Sequence, residues 1–260
     1  MFEAKLDLLQ MPKGVAGWRA PRIASDEDIA RLTEAKAALD ALLAAAETYA
    51  QGGPGTVIDI AHLDAPSLEI LDQILGQGEV QATLENGSRT RIQEAVMPGL
   101  WRVHGEDVHY LEVGDVPEML RQVADTGRAE LAIPPALPEG AMNVLPVLAE
   151  IRDTMGKVRR GEKTREINLT LLPMTPVDLN VLAEALGLGR VTILSRGYGN
   201  CRITACACRG VWRISYFNSD DKMILDVVEV GDIPAAALAA REDLADSADR
   251  LRQVIKAYWP

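Results

Sequence analysis

The sequence repeats itself at a distance of 111 residues. At that displacement Leu68, Leu71 and Leu75 fall on Leu179, Leu182 and Leu186, and Gly76, Gly78 and Val80 fall on Gly187, Gly189 and Val191. Arg91 and Ile92 meet Arg202 and Ile203, and Gly99, Trp101 and Arg102 meet Gly210, Trp212 and Arg213. Eleven of the 36 positions from 68–103 against 179–214 are identical, where random pairing at ordinary composition gives about two or three. With six further residues in the second copy, Glu112-Val113-Gly114-Asp115-Val116-Pro117 matches Glu229-Val230-Gly231-Asp232-Ile233-Pro234. The period is too long for a solenoid, whose units run to about 20–50 residues. It predicts an α+β protein of two tandem homologous lobes, each helix-strand-helix followed by an antiparallel meander, related by a pseudo-twofold axis.

Local signals divide the chain. Residues 1–25 read as an irregular arm. Ser25 and the acids Asp26, Glu27 and Asp28 open a helix to about Ala50, since a capping hydroxyl and early acids favour a helix N-terminus. A first lobe spans 26–132, a proline-rich joint 133–140, and a second lobe 141–260. Expected strands are 56–60, 79–84, 90–96, 100–103 and 108–113, with a helix from Ala65 and a turn at Asn86-Gly87. The second lobe should carry a helix over 142–158, a strand over 166–172, a helix from Thr175-Pro176 and the matching strands. The last helix, to about Tyr258, has Leu244, Ala248, Leu251 and Ile255 on one face and is expected to dock on the second lobe.

Composition narrows the function. The formal net charge is −11, which repels phosphate backbones and argues against nucleic acid as a partner. No apolar run of about 18 residues suggests a membrane span, and the start lacks the pattern of a signal peptide. Three cysteines, an odd number, point to a reducing, cytoplasmic setting.

The candidate sites are few. Each Gly-x-Gly follows a helix and precedes a strand. A phosphate loop has the reverse order, so these glycines read as helix C-caps. Cys201, Cys206 and Cys208 could supply soft ligands to a metal or iron–sulfur centre. Strand parity, however, sets Cys201 against the other two, and Thr90, Ala95 and Met97 stand at the equivalent places in the first copy. His62, His104 and His109 lack metal-ligand spacing and are expected to be isolated. Lys157, Arg159, Arg160, Lys163 and Arg165 form a basic run. No catalytic motif is present, and neither an enzyme activity nor a cofactor is expected. Trp101-Arg102 and Trp212-Arg213 predict buried tryptophans with outward arginines able to clamp an acidic partner. Gln93 and Glu94 lie on the neighbouring strand as possible partners for Arg102. Gln93, Glu94, Arg102 and Arg213 are therefore the candidate partner-binding residues.

Leu75-Gly76-Gln77-Gly78-Glu79-Val80, Ile92-Gln93-Glu94-Ala95-Val96, Gly99-Leu100-Trp101-Arg102-Val103, Gly197-Tyr198-Gly199 and the segment 239–248 together resemble the HupH/HyaF-type hydrogenase expression proteins. The resemblance covers roughly residues 56–256. It implies an accessory protein in nickel–iron hydrogenase maturation that holds the iron–sulfur-carrying small-subunit precursor before export, alongside a thioredoxin-like accessory protein. It does not extend to the three cysteines, which leaves a metal or iron–sulfur carrier as the alternative.

Overall fold

A computed structural model describes residues 26–157, 164–197 and 199–260. The arm at 1–25, the capping role of Ser25, Tyr198 and the Arg159, Arg160 and Lys163 part of the basic run lie outside the described residues. The first half of the chain contains α1 (Asp26–Arg31), α2 (Thr33–Ala50), β1 (Thr56–Asp59), α3 (Ala65–Leu75), β2 (Val80–Asn86), β3 (Ser88–Glu94), β4 (Leu100–His104), β5 (His109–Val113) and α4 (Glu118–Ala124). The second half contains α5 (Val144–Met155), β6 (Arg165–Asn168), α6 (Pro176–Leu186), β7 (Leu188–Ser195), β8 (Asn200–Cys206), β9 (Val211–Phe217), β10 (Met223–Val230) and α7 (Arg241–Tyr258), with short 3-10 turns at Leu169–Leu171 and Ala235–Ala237.

Cap chemistry sets the helix limits. Asp64 accepts the Ser67 N–H at the start of α3, and Thr175 and Asp178 form a reciprocal capping box at α6. Asp178 also accepts the N–H groups of Met142, Asn143 and Val144, so one carboxylate serves the starts of two helices. Burial opposes its charge, but these donors prevail and hold its carboxyl down at about 2. Gly76 and Gly187 end α3 and α6 at φ 59° and 64°, as the C-cap reading expects. Gly78 is required by close approach: a Cβ there would lie 2.1 Å from the carbonyl oxygen of Ala95.

Three expected elements are corrected. The helix to Ala50 is interrupted at Leu32, whose φ −80° and ψ 57° are not helical. The strand expected over 166–172 stops at Asn168, whose side chain accepts the Leu171 N–H and turns the chain into a 3-10 turn. The helix expected over 142–158 is shorter, Val144–Met155.

The two halves do not build separate lobes. All ten strands form one antiparallel sheet in the order β1-β5-β4-β3-β2-β7-β8-β9-β10-β6. With β1 to β5 matched to β6 to β10, this order reads the same from either edge. The halves meet at β2 and β7, and their register centres on Ala82↔Ile193, which are themselves 111 apart.

Paired residues in an antiparallel ladder point to the same side, so the register divides the core. On one side Leu100, Leu111 and Val113 pack beneath α2 and α3, while Val211, Val228 and Ile167 pack beneath α5 and α6. On the other side a single cluster runs across both halves through Trp101, Val103, Ile92, Ala82, Ile193, Ile203 and Trp212. Leu120 of α4 and Ala237 close it.

α7 corrects a further expectation. It crosses to the first half rather than docking on the second. Leu244, Ala248, Leu251 and Ile255 are buried with Leu39 and Leu42 of α2. Ser247 Oγ donates to the Pro98 carbonyl at 2.9 Å, and Trp259 Nε1 donates to the Ile29 carbonyl at 3.0 Å. The exchange is mutual. Arg128, from the first half, donates through its side chain to the Ala185 and Leu186 carbonyls at the end of α6, and its backbone pairs with Ala207 and Arg209.

Arg121 of α4 fastens the seam. Its guanidinium contacts Asp115 at 2.7 Å and Asp232 at 2.6 Å, the two matched acids of the repeated Gly-Asp-x-Pro element. Arg121→Met strands two acids around a largely buried position. It is expected to cost about 2–3 kcal/mol, less than a fully buried pair because Asp115 is partly exposed. Adding Asp115→Asn and Asp232→Asn should recover part of the loss, read as urea midpoints. Leu251→Ala should cost about 2–4 kcal/mol by the cavity it leaves. If α7 were dispensable to the first-half core, the urea midpoint of that variant would not move.

Candidate partner-binding site

The register places three of the four candidate residues on the helix-bearing side of the sheet. Two cross-strand rows run over its centre. One is His104, Arg91, Thr83, Thr192, Thr204 and Arg213; the other is Arg102, Gln93, Gln81, Leu194, Arg202 and Ser215. Each row carries an arginine on either side of the seam. Arg91 matches Arg202 and Arg102 matches Arg213 at the 111-residue spacing. Arg91 and Arg202 align in the repeat but are not among the four candidate residues; the signal that marks them is a charged residue present in both copies beside an identical apolar neighbour, Ile92 and Ile203, that faces the other side.

Trp101 and Trp212 are buried as expected. Their neighbouring arginines do not simply face out. Arg102 Nη1 pairs with Asp72 and Nη2 donates to the Gly76 carbonyl. It thus meets the negative end of α3. Arg213 binds Asp226 through two bonds, Nε to Oδ1 at 3.1 Å and Nη2 to Oδ2 at 2.7 Å. Asp226 is itself buried and takes the Thr170 hydroxyl as acceptor for its N–H. Both arginines are therefore anchored within their own halves.

Gln93 lies opposite Arg102, but its amide donates to the Glu94 carbonyl at 3.0 Å and more weakly to those of Val80 and Gly78. Glu94 is not the partner of Arg102. It lies across from Trp101 on the far side of the sheet, buried, with Oε1 accepting the Gly99 N–H at 3.3 Å. Burial raises its pKa to about 7, against the pull of the Gly99 and Val80 N–H groups and with help from Glu79 and Asp243.

The cysteines divide as strand parity requires. Cys201 belongs to the cluster that spans both halves, while Cys206 and Cys208 belong to the cluster under α5 and α6, on the opposite side. All three thiols are free and buried. Burial pushes Cys201 up to about 11, Cys206 up to about 12, and Cys208 in the same direction. Among the described residues no group of three or more His, Cys, Asp or Glu converges to hold a metal. Thr90, Ala95 and Met97, their counterparts, are also buried. His104 and His109 are not isolated from each other: their rings meet edge to face with centroids 4.6 Å apart. Partial burial, then the neighbouring His104, lowers the His109 pKa.

Glu94 yields a pH test. Its carboxyl binds a proton more tightly folded, near pH 7, than unfolded, near 4.5. The folded state therefore holds more protons across that window, and stability falls as pH rises through it. Glu94→Gln removes this slope. Its stability relative to the parent should grow by up to about 3 kcal/mol between pH 4.5 and 7.5, measured by urea unfolding at each pH. A pH-independent difference would remove Glu94 as the titrating group.

Comparison with known proteins matches this chain to the HupH hydrogenase expression protein, C-terminal conserved region, over residues 32–128 and 141–258. The hydrogenase expression/formation protein HoxQ of Cupriavidus necator is 43% identical over 256 residues, covering 96% of this chain and 91% of its own. The hydrogenase-1 operon protein HyaF of Escherichia coli is 34% identical over 212 residues, covering 78% and 73%. A solved structure of the hydrogenase expression protein HupH from Thiobacillus denitrificans covers 44% of this chain and 96% of its own, at 29% identity and a TM-score of 0.42. The chain belongs to the HupH hydrogenase expression protein family.

Proposed function

We propose that this protein acts in hydrogenase maturation as a non-enzymatic chaperone, holding the iron–sulfur-carrying small-subunit precursor in the cytoplasm before export. The observation that carries the reading is similarity along nearly the whole chain to HoxQ of Cupriavidus necator, a hydrogenase expression/formation protein. Its physical character suits the role. The protein has a net charge of −11, which favours encounter with a basic export signal. No helix among the described residues is long and apolar enough to cross a membrane. A thioredoxin-like accessory protein is the second partner in this reading.

The two halves are, in this reading, copies of one unit related by a pseudo-twofold axis through the β2–β7 seam. The strand order and the Ala82↔Ile193 register support it. The domain limits at 26–132 and 141–260 remain useful as limits of the repeat, although the halves share a sheet. The carrier alternative finds no support in the cysteines, since opposite sides of a sheet do not present ligands to one ion.

Tagged protein should co-purify with the small-subunit precursor from cells expressing the hydrogenase genes, and its deletion should abolish hydrogenase activity. Triple replacement of Cys201, Cys206 and Cys208 by alanine should preserve any capture that the folded protein achieves. Capture of the large subunit alone, or full hydrogenase activity without this protein, would refute the small-subunit role.

A further inference from the structure

The exposed apolar side chains gather on one half. Among the described residues eight large apolar side chains stand exposed, and six of them come from three short segments of the second half: Met142 and Leu145, Leu171 and Leu172, Met223 and Ile224. Leu171 is 80% exposed, Met142 74% and Ile224 57%. Single apolar residues on a surface are ordinary, whereas a group of them marks a place where something docks.

Hydrogen bonds hold the three segments at one corner. Asn143 Nδ2 donates to the Pro173 carbonyl at 2.7 Å and Thr175 Oγ1 to the Gly140 carbonyl at 3.0 Å, which ties the approach to α5 to the chain leaving Leu171 and Leu172. The Asp226 N–H donates to Thr170 Oγ1 at 2.8 Å, which sets the start of β10 beside the same 3-10 turn. The ladder of β9 and β10 slips between Met223 and Leu225, so Ile224 is the extra residue of a bulge. The first half carries no such group. Its β4–β5 hairpin is shorter and bears Glu106 and Asp107 where β10 begins with Met223 and Ile224. Between β1 and α3 the exposed residues are Ala61 and His62. The fold therefore does not require large apolar residues at these places.

The charge at the corner is mainly negative. The stretches 139–145, 170–174 and 218–224 carry Glu139, Asp220 and Asp221 against Lys222, and all four are exposed. We propose that this corner is a docking surface for a polypeptide segment with an apolar run and lysine or arginine at one end. Met142, Leu171, Leu172 and Ile224 take the apolar run, with unbranched methionine adapting to its shape. Glu139, Asp220 and Asp221 draw the basic end, in keeping with the net charge of −11. The same acids oppose an anionic lipid surface. The chain's own residues 1–25 join α1, whose Ile29 carbonyl meets Trp259 on the other half of the molecule. The assignment does not rest on the maturation reading. Its test uses no hydrogenase component, so either can fail without the other.

The probe is a fluorescein-labelled peptide with a short run of lysines followed by about ten leucine and alanine residues, read by anisotropy against the full chain at about 0.15 M salt. One counterpart has glutamates for the lysines, and another has serines for the leucines. Both counterparts should bind at least about tenfold more weakly than the probe. Leu171→Ser with Ile224→Ser, at two exposed positions, should weaken binding about tenfold or more with an unaltered urea midpoint. Leu171→Ala alone should weaken it in the same direction, which covers the case in which the double variant does not fold. Asp220→Lys with Asp221→Lys should weaken it and flatten its salt dependence. Val57→Ser, at an exposed apolar position of the first half, should leave it unchanged. Absence of binding, equal binding of either counterpart, full binding by the Leu171 variants, or an equal loss on Val57→Ser would overturn the assignment. Concentration-dependent dimerisation lost on Leu171→Ala would assign the corner to a second copy instead.

Discussion

The Arg121 guanidinium bridges two halves that do not close their own cores. Arg121 contacts Asp115 and Asp232, acids that occupy the same place in the two copies. Each acid also accepts the following N–H, from Val116 and Ile233. The carboxylates are thereby oriented before the arginine arrives, so little side-chain entropy remains to be lost in the pair. The cation has no second copy: at the matched place in the second half stands Leu238. One positive charge between two equivalent negative ones makes α4 belong to both halves. It also carries Leu120 onto the apolar cluster that crosses the seam.

The same constraint explains the traffic of elements across the seam. A sheet continuous through β2 and β7 exposes apolar surface that neither half covers alone. α7 is encoded after the second copy yet buries Leu244 and Leu251 on the first. The segment around Arg128 is encoded after the first copy yet caps α6 and lies beside Cys208. Separating the halves would uncover both sets of contacts along with the β2–β7 ladder. A chain cut at the proline-rich joint therefore loses more than a linker.

Much of this was legible from residue spacing. Period-2 and period-3.6 patterns marked the β-meanders and α3, α6 and α7, because each buries one face and the pattern records which. Gly76 and Gly187 were readable as caps because helix-to-strand order excludes a phosphate loop. Parity correctly separated Cys201 from Cys206 and Cys208. What failed was long-range assignment. The apolar stripe of α7 says that it docks, not where, and a nearest-neighbour assumption placed it on the wrong half. Joining the repeats into one sheet depends on edge pairing between β2 and β7, which backbone groups make without a side-chain signature. Gln93 and Glu94 were both offered to Arg102 from the neighbouring strand, but adjacent strand residues face opposite sides, so only Gln93 lies across from it. The acid that Arg102 meets, Asp72, comes from α3, a contact that strand spacing does not encode.

The arginines show how the internal repeat separates architecture from surface. Arg102 and Arg213 recur and both are anchored, yet by different means: the end of α3 in one half, Asp226 in the other. The retained feature is a cation at a fixed height on the sheet, and each half found its own counter-charge. Arg91 and Arg202 recur at an equivalent height nearer the seam. There the matched positions around them have diverged, Gln81 to Thr192, Thr83 to Leu194 and Gln93 to Thr204. Arg91 stands exposed, whereas Arg202 is half-buried with its guanidinium over the Phe217 ring. The same recurring cation is therefore solvated in one half and packed in the other, so recurrence fixes a residue's place on the sheet and leaves its surroundings to each half.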